Sequence, residues 1–144
     1  MDAGQVVLPP NLPAVCFTAA AQDYSVPHMV LVALVSKESG GKSVVRANKN
    51  GSYDYGVAQQ NSDSWARVLQ RDFGITPNML MNPCQGIRAA AYVLRMEWNS
   101  PSCKDRDVWC AVGRYHAPNS PQRSVAYAMD VKRLMAEIVS KGKF

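Results

Sequence analysis

The chain has 144 residues, of which 47% are hydrophobic and 19% charged, with 16 Lys+Arg against 11 Asp+Glu for a net charge of +5. That length is enough for one domain with a real core, and the composition excludes a disordered or low-complexity chain. The positive balance suits an anionic partner, yet the bases are scattered (Lys42, Arg46, Lys49, Arg67, Arg71, Arg88, Arg95, Lys132, Arg133), which reads first as a solvated surface and only second as a polyanion patch.

Residues 1–12, with Pro9 and Pro10, read as an extended lead-in, and 13–144 as a single domain. Met1-Asp2-Ala3-Gly4 lacks the basic and apolar segments of a signal peptide, so an exported protein would be represented here in its mature form. A first helix is expected from about Pro13 to Tyr24. Ser25 is placed to cap a second, with Pro27 in its first turn and Val30, Leu31, Leu34 and Val35 as an apolar stripe, ended by Gly40-Gly41. The longest apolar run, Met29 to Val35, falls far short of the ~18 residues that span a bilayer. Lys42 to Gly56 is polar and turn-rich. Asn50-Gly51 signals a hairpin turn, and Ser52-Tyr53-Asp54-Tyr55 alternates as a strand does. Further helices are expected from Ser62 to about Phe73, from Asn82-Pro83 to about Trp98, from Asp107 to near His116, and from Ser120-Pro121 to near Lys141. The fold class that results is mainly α, with five or six helices and one small β-hairpin.

Cys16, Cys84, Cys103 and Cys110 allow two disulfides in three pairings. The closeness of Cys103 and Cys110 across a loop-to-helix junction favours joining them, leaving Cys16 with Cys84. Both bonds together imply an oxidising compartment; the alternative is four buried thiols in a reducing one. With no CxxC pair and two histidines, no zinc site is expected, and no metal or organic cofactor is implied.

Glu38 stands at the C-terminal end of an apolar helix, where the helix dipole favours cations. Burial and the dipole both raise the pKa of a carboxyl there and keep it protonated near neutral pH. A protonated carboxyl in a cleft is what glycosidic cleavage requires, because the leaving oxygen must receive a proton. Asp54, on the expected hairpin, is the candidate second carboxylate, stabilising positive charge on the sugar; this helix-end Glu facing a hairpin Asp resembles the lysozyme arrangement. The competing readings are a solvated Glu38 paired with Lys37 or Lys42, and a turn Asp bonding its own backbone. Tyr53, Tyr55, Trp65, Trp98, Trp109 and Tyr115 could line a sugar cleft, with Trp98 and Trp109 assigned to the core. His28 and His116 form no triad with a serine, and neither a nucleophile elbow nor a phosphate-binding glycine loop is present.

In this order the segments Lys37-Glu38-Ser39-Gly40, Asn48 to Gln59, Asn82-Pro83-Cys84, Ala89 to Leu94 and Trp109 to Pro118 resemble the soluble lytic transglycosylase domain family, over roughly residues 14–118. The likeness is to its small specialised members that accompany secretion systems, conjugation machines and type IV pili. It implies a lysozyme-like α+β fold with the hairpin flanking the active-site cleft. It also implies periplasmic cleavage of peptidoglycan glycan strands, without nucleic acid or stable membrane insertion, by a monomer. By the same resemblance Glu38 matches the catalytic acid/base and Ser39 helps hold the site. Gln59 matches the substrate-contacting glutamine of a Gly-Leu-Met-Gln motif, and Tyr115 matches the tyrosine that hydrogen-bonds the acid. Asp54 matches an Asp of the secretion-associated subgroup, Cys84 falls where that subgroup carries a cysteine, and Tyr55 is grouped with the substrate-binding residues. Departures are Ala58 for a Met, Gln60 for an aliphatic, and Tyr115-His116-Ala117-Pro118 for Tyr-Asn-x-Gly. The rival functions are a hydrolytic muramidase using Glu38 and Asp54, a non-catalytic wall-binding module, and a weaker basic nucleic-acid binder.

Overall fold

The computed structural model describes residues 12–141, so all but Leu12 of the expected lead-in lies outside the described residues. Its elements are α1 (Ala14–Tyr24), α2 (His28–Ser39), β1 (Val45–Ala47), β2 (Tyr53–Tyr55), β3 (Gln60–Asn61), α3 (Trp65–Phe73), α4 (Pro77–Leu80), α5 (Pro83–Asn99), α6 (Val108–His116) and α7 (Pro121–Lys141). The mainly α class with a small sheet beside the cleft is as expected.

Three details differ from the sequence reading. A third strand, β3, extends the expected β-hairpin into a three-stranded sheet. A seventh helix, α4, occupies Pro77–Leu80. Pro77 sits at its first position and Thr76 Oγ1 accepts from the Met79 amide at 3.2 Å, a cap that makes one turn where no apolar period could show. Ser25 does not open α2. It closes α1 in the left-handed region (φ 55°), while Pro27, fixed near its natural φ, stands at the α2 boundary with no side-chain cap. The expected caps at Asn82 and Asp107 hold: each accepts a backbone N–H in the first turn, from Gln85 and Trp109 respectively.

The core forms around α2. Val30 through Val35 are all buried, so this helix is apolar on every side rather than along one stripe, and it lies between α1, α5 and α7. Facing it are Phe17 and Ala20 of α1, Ala90 and Leu94 of α5, and Tyr127, Val131 and Ile138 of α7. Gly113 lets α6 approach α7 closely, since a Cβ there would sit 2.2 Å from Ser124 Oγ. Disulfides join Cys16 to Cys84, pinning α1 to the start of α5, and Cys103 to Cys110, closing the loop before α6.

The sheet is antiparallel in the order β1-β2-β3. Arg46 lies opposite Asp54 in β1–β2, and Asp54 opposite Asn61 in β2–β3. The hairpin is longer than a two-residue turn. Gly51 takes φ 86°, while Asn50 Oδ1 accepts from both the backbone N–H (3.0 Å) and the Oγ (2.7 Å) of Ser52.

Candidate active site

Glu38 is the second-last residue of α2, and the end of that helix is fixed from three directions. Gly40 turns the chain through φ 63° and donates its N–H to Ser36 O at 2.8 Å. Ser39 Oγ donates to Val57 O at 2.7 Å, tying the helix end to the β2–β3 turn, and accepts from the Gly41 amide. Arg46 Nη1, from β1, donates to the backbone carbonyl of Glu38 at 2.9 Å, placing a cation where the helix dipole is negative. Ser39 is thus buried and helps hold the site from behind, without itself lining the groove.

The carboxyl of Glu38 opens into a groove of about 1260 Å³ between the sheet on one side and α6 and α7 on the other. That exceeds the ~300–1,000 Å³ of ordinary small-molecule sites and suits a polymer segment. Glu38 Oε2 accepts a 2.6 Å hydrogen bond from the hydroxyl of Tyr127. Burial pushes the Glu38 pKa up to about 7. The Tyr127 bond, Lys37 and Arg46 act against that rise, and the charge of Asp54 adds to it. Burial also holds the Tyr127 hydroxyl well above its ordinary pKa, so it remains a donor.

The residue carrying that hydroxyl is not the one expected. Tyr115 lines the groove, but its hydroxyl donates to Ala58 O at 2.9 Å and accepts from Gln60 Nε2 at 2.8 Å, bracing the β2–β3 turn against α6. Tyr127 lies beyond the stretch that carried the resemblance. Its trace in the sequence is its place on the buried face of α7, where Tyr127 and Val131 are one turn apart. His116, which stands in place of an asparagine, stacks on Tyr127 with ring centroids 4.4 Å apart and planes at 10°. Burial, then Arg123 and Lys37, lower the His116 pKa.

Asp54 lines the same groove, and its Oδ1 accepts from Asn61 Nδ2 at 2.8 Å. Gln59 is on the groove wall in the left-handed region (φ 54°), with its Nε2 holding Gly56 O and Val44 O at 2.8 and 3.1 Å. Tyr55 points the other way. It lines a separate, smaller cleft on the opposite face of β2, so the structure does not bring it to Glu38. At the far end of the groove Glu97 is buried, its two oxygens accepting from Arg114 Nε and Trp65 Nε1, each at 3.1 Å. That arrangement fixes Trp65 as an aromatic wall. Trp98 and Trp109 pack partly buried against the core. The sequence reading missed the site roles of Tyr127, Glu97 and Arg114, whose partners lie far off in the chain, and of Arg46, whose partner carbonyl lies eight residues back on another element.

A mainly helical body with a three-stranded sheet flanking a groove into which a helix-end glutamate opens is the lysozyme-like architecture. Residues 15–133 match the model of the transglycosylase SLT domain. The chain is 36% identical to protein IpgF of Shigella flexneri over 133 residues, covering 89% of this chain and 84% of that one. It is 31% identical to the X polypeptide of Escherichia coli K12 over 132 residues (87% and 75%), and 30% identical to the invasion protein IagB of Salmonella typhimurium over 111 residues (76% and 66%). This chain belongs to the transglycosylase SLT domain family.

Proposed function

We propose that this protein is a peptidoglycan lytic transglycosylase in which Glu38 is the acid and then the base. The observation that carries the reading is the Glu38 carboxyl itself, half-buried at the groove, with a pKa raised to about 7 and a tyrosine hydroxyl fixing one oxygen. Glu38 donates its proton to the oxygen bridging N-acetylmuramic acid and N-acetylglucosamine, and the C1–O bond breaks. The 2-acetamido group or the Asp54 carboxylate stabilises the cationic sugar. Glu38 then takes the proton of the 6-hydroxyl as that oxygen attacks C1, closing a 1,6-anhydro ring. The intramolecular nucleophile brings a high effective concentration, and the positioned acid/base contributes about 10²–10⁴-fold in rate.

A muramidase is the second reading, favoured by Asp54 standing in the same groove and coupling electrostatically to Glu38. There a water attacks instead of the 6-hydroxyl. Mass analysis of products from purified peptidoglycan separates the two, since hydrolysed ends are one water heavier than anhydro ends. Glu38→Gln and Asp54→Asn run alongside. The expected result is anhydro products from wild type and none from Glu38→Gln; activity near wild type in Glu38→Gln would end the assignment of Glu38 as the acid, whereas binding of peptidoglycan by wild type with no products at all would favour a wall-binding module.

The two disulfides support a periplasmic setting. Among the described residues no helix is long and apolar enough to cross a membrane. The kinship with an invasion protein supports local wall opening for a secretion, conjugation or pilus machine.

A further inference from the structure

Behind the edge of the sheet lies a second cleft, of about 350 Å³, that glycosidic chemistry leaves unused. Strand alternation builds its wall, because successive residues face opposite sides. On β2, Asp54 lines the groove and Tyr55 the cleft; at the end of β3, Asn61 lines the groove and Ser62 the cleft. The same division continues into α3, with Ser64 and Trp65 on the groove and Arg67, Gln70 and Arg71 on the cleft, which Pro77 closes. Arg67 and Arg71 are one helical turn apart and therefore neighbours. Arg71 is held by Asp72 through Nε at 2.7 Å and Nη2 at 3.1 Å. Arg67 is exposed and has no hydrogen bond or ion pair from its side chain to any described residue.

These positions put the Arg67 guanidinium, unpaired among the described residues, and the cleft just over the edge of the groove, separated from it by the edge strand β3. On the reading that the groove holds a glycan strand, which this inference rests on, each muramic residue carries a short peptide with free carboxylates. A four-residue stem reaches at most ~14 Å, and neighbouring strands are ~4.8 Å apart, so such a stem can leave the groove over β3 and end at Arg67. We propose that this cleft binds the anionic stem peptide of the substrate, Arg67 forking the carboxylate with Arg71 beside it, and Tyr55 and Pro77 packing on the peptide's apolar part. The planar guanidinium matches a carboxylate through two parallel hydrogen bonds.

The test uses the full chain and an Arg67→Ala/Arg71→Ala double variant, both changes on exposed side chains. A synthetic stem tetrapeptide is titrated into each protein and followed by amide chemical shifts. Both proteins then digest intact peptidoglycan and the same glycan stripped of its stems by an amidase. The expected result is peptide binding about threefold to tenfold weaker in the double variant. Cleavage should slow by a similar factor on intact strands and stay unchanged on stripped ones. Equal peptide binding by both proteins, or equal slowing on both substrates, would overturn the proposal. So would an all-L glutamate peptide of the same charge binding as tightly as the stem, which would assign the cleft to an acidic segment of another protein. Should wild type cleave neither substrate, the transglycosylase reading fails, and the titration alone still decides whether the cleft takes the stem.

Discussion

Replacing Glu38 by Gln is expected to stabilise the fold while abolishing cleavage, with the gain depending on pH. The carboxyl has a folded pKa of about 7 against an ordinary 4.5, chiefly through burial. Between those values the folded state binds more protons than the unfolded one, so stability falls as pH rises through that window. At about 1.4 kcal/mol per pH unit, the ionising carboxyl costs the fold roughly 3 kcal/mol at pH 8 and about 1 kcal/mol at pH 5. The amide carries no charge at either pH, and its carbonyl oxygen still accepts from Tyr127. For a domain of this size ~1 kcal/mol moves the melting temperature by about 3 °C. Glu38→Gln should therefore melt about 9 °C above wild type at pH 8 and about 3 °C above it at pH 5. Scanning calorimetry on both proteins at both pH values measures this, and a turbidity assay on the same samples records the lost activity. Melting temperatures that coincide at pH 8, or a difference equal at the two pH values, would show that Glu38 ionises like an exposed carboxylate and would refute the reasoning.

Tyr127→Phe removes the hydrogen bond that opposes the rise in the Glu38 pKa, so the alkaline limb of the pH–rate profile should move above about 7 while the maximal rate drops roughly tenfold; a profile that keeps its position would argue against the contact. Replacing Cys16 and Cys84 together by Ser opens a crosslink of sequence separation 68, which should lower the unfolding free energy by about 4 kcal/mol in a denaturant titration, against about 2–3 kcal/mol for the Cys103/Cys110 pair at separation 7; equal losses would place the difference outside loop entropy.

Much of the fold was legible because it rests on local signals. Asn82 and Asp107 cap the helices expected of them, and the apolar density of Val30 to Val35 marked the central buried helix. Ser25 misled because a serine ahead of an apolar run suits either a start or a stop, and only the backbone angle decides. In the site, Glu38 was legible because a carboxylate is odd at the C-terminal end of an apolar helix, and Asp54 through its likeness to the second carboxylate of lysozyme; both line one groove. The groups around them were not. Period-two alternation places Tyr55 opposite Asp54, so adjacency in a motif meant separation in space. The hydroxyl on Glu38 comes from a residue 89 positions later, and the Trp65–Glu97–Arg114 set spans three helices. No local period encodes such pairings; only the docking of whole elements does.

Because α7 supplies both Tyr127 and a wall of the core around α2, the carboxyl of Glu38 gains its hydroxyl partner from an element 89 residues further along the chain. A polypeptide still emerging from a ribosome or a translocation pore, short of residue 127, carries Glu38 without its hydroxyl partner and with an apolar face of α2 uncovered. The full surroundings of Glu38 therefore form only once α7 has been made and has docked on α2.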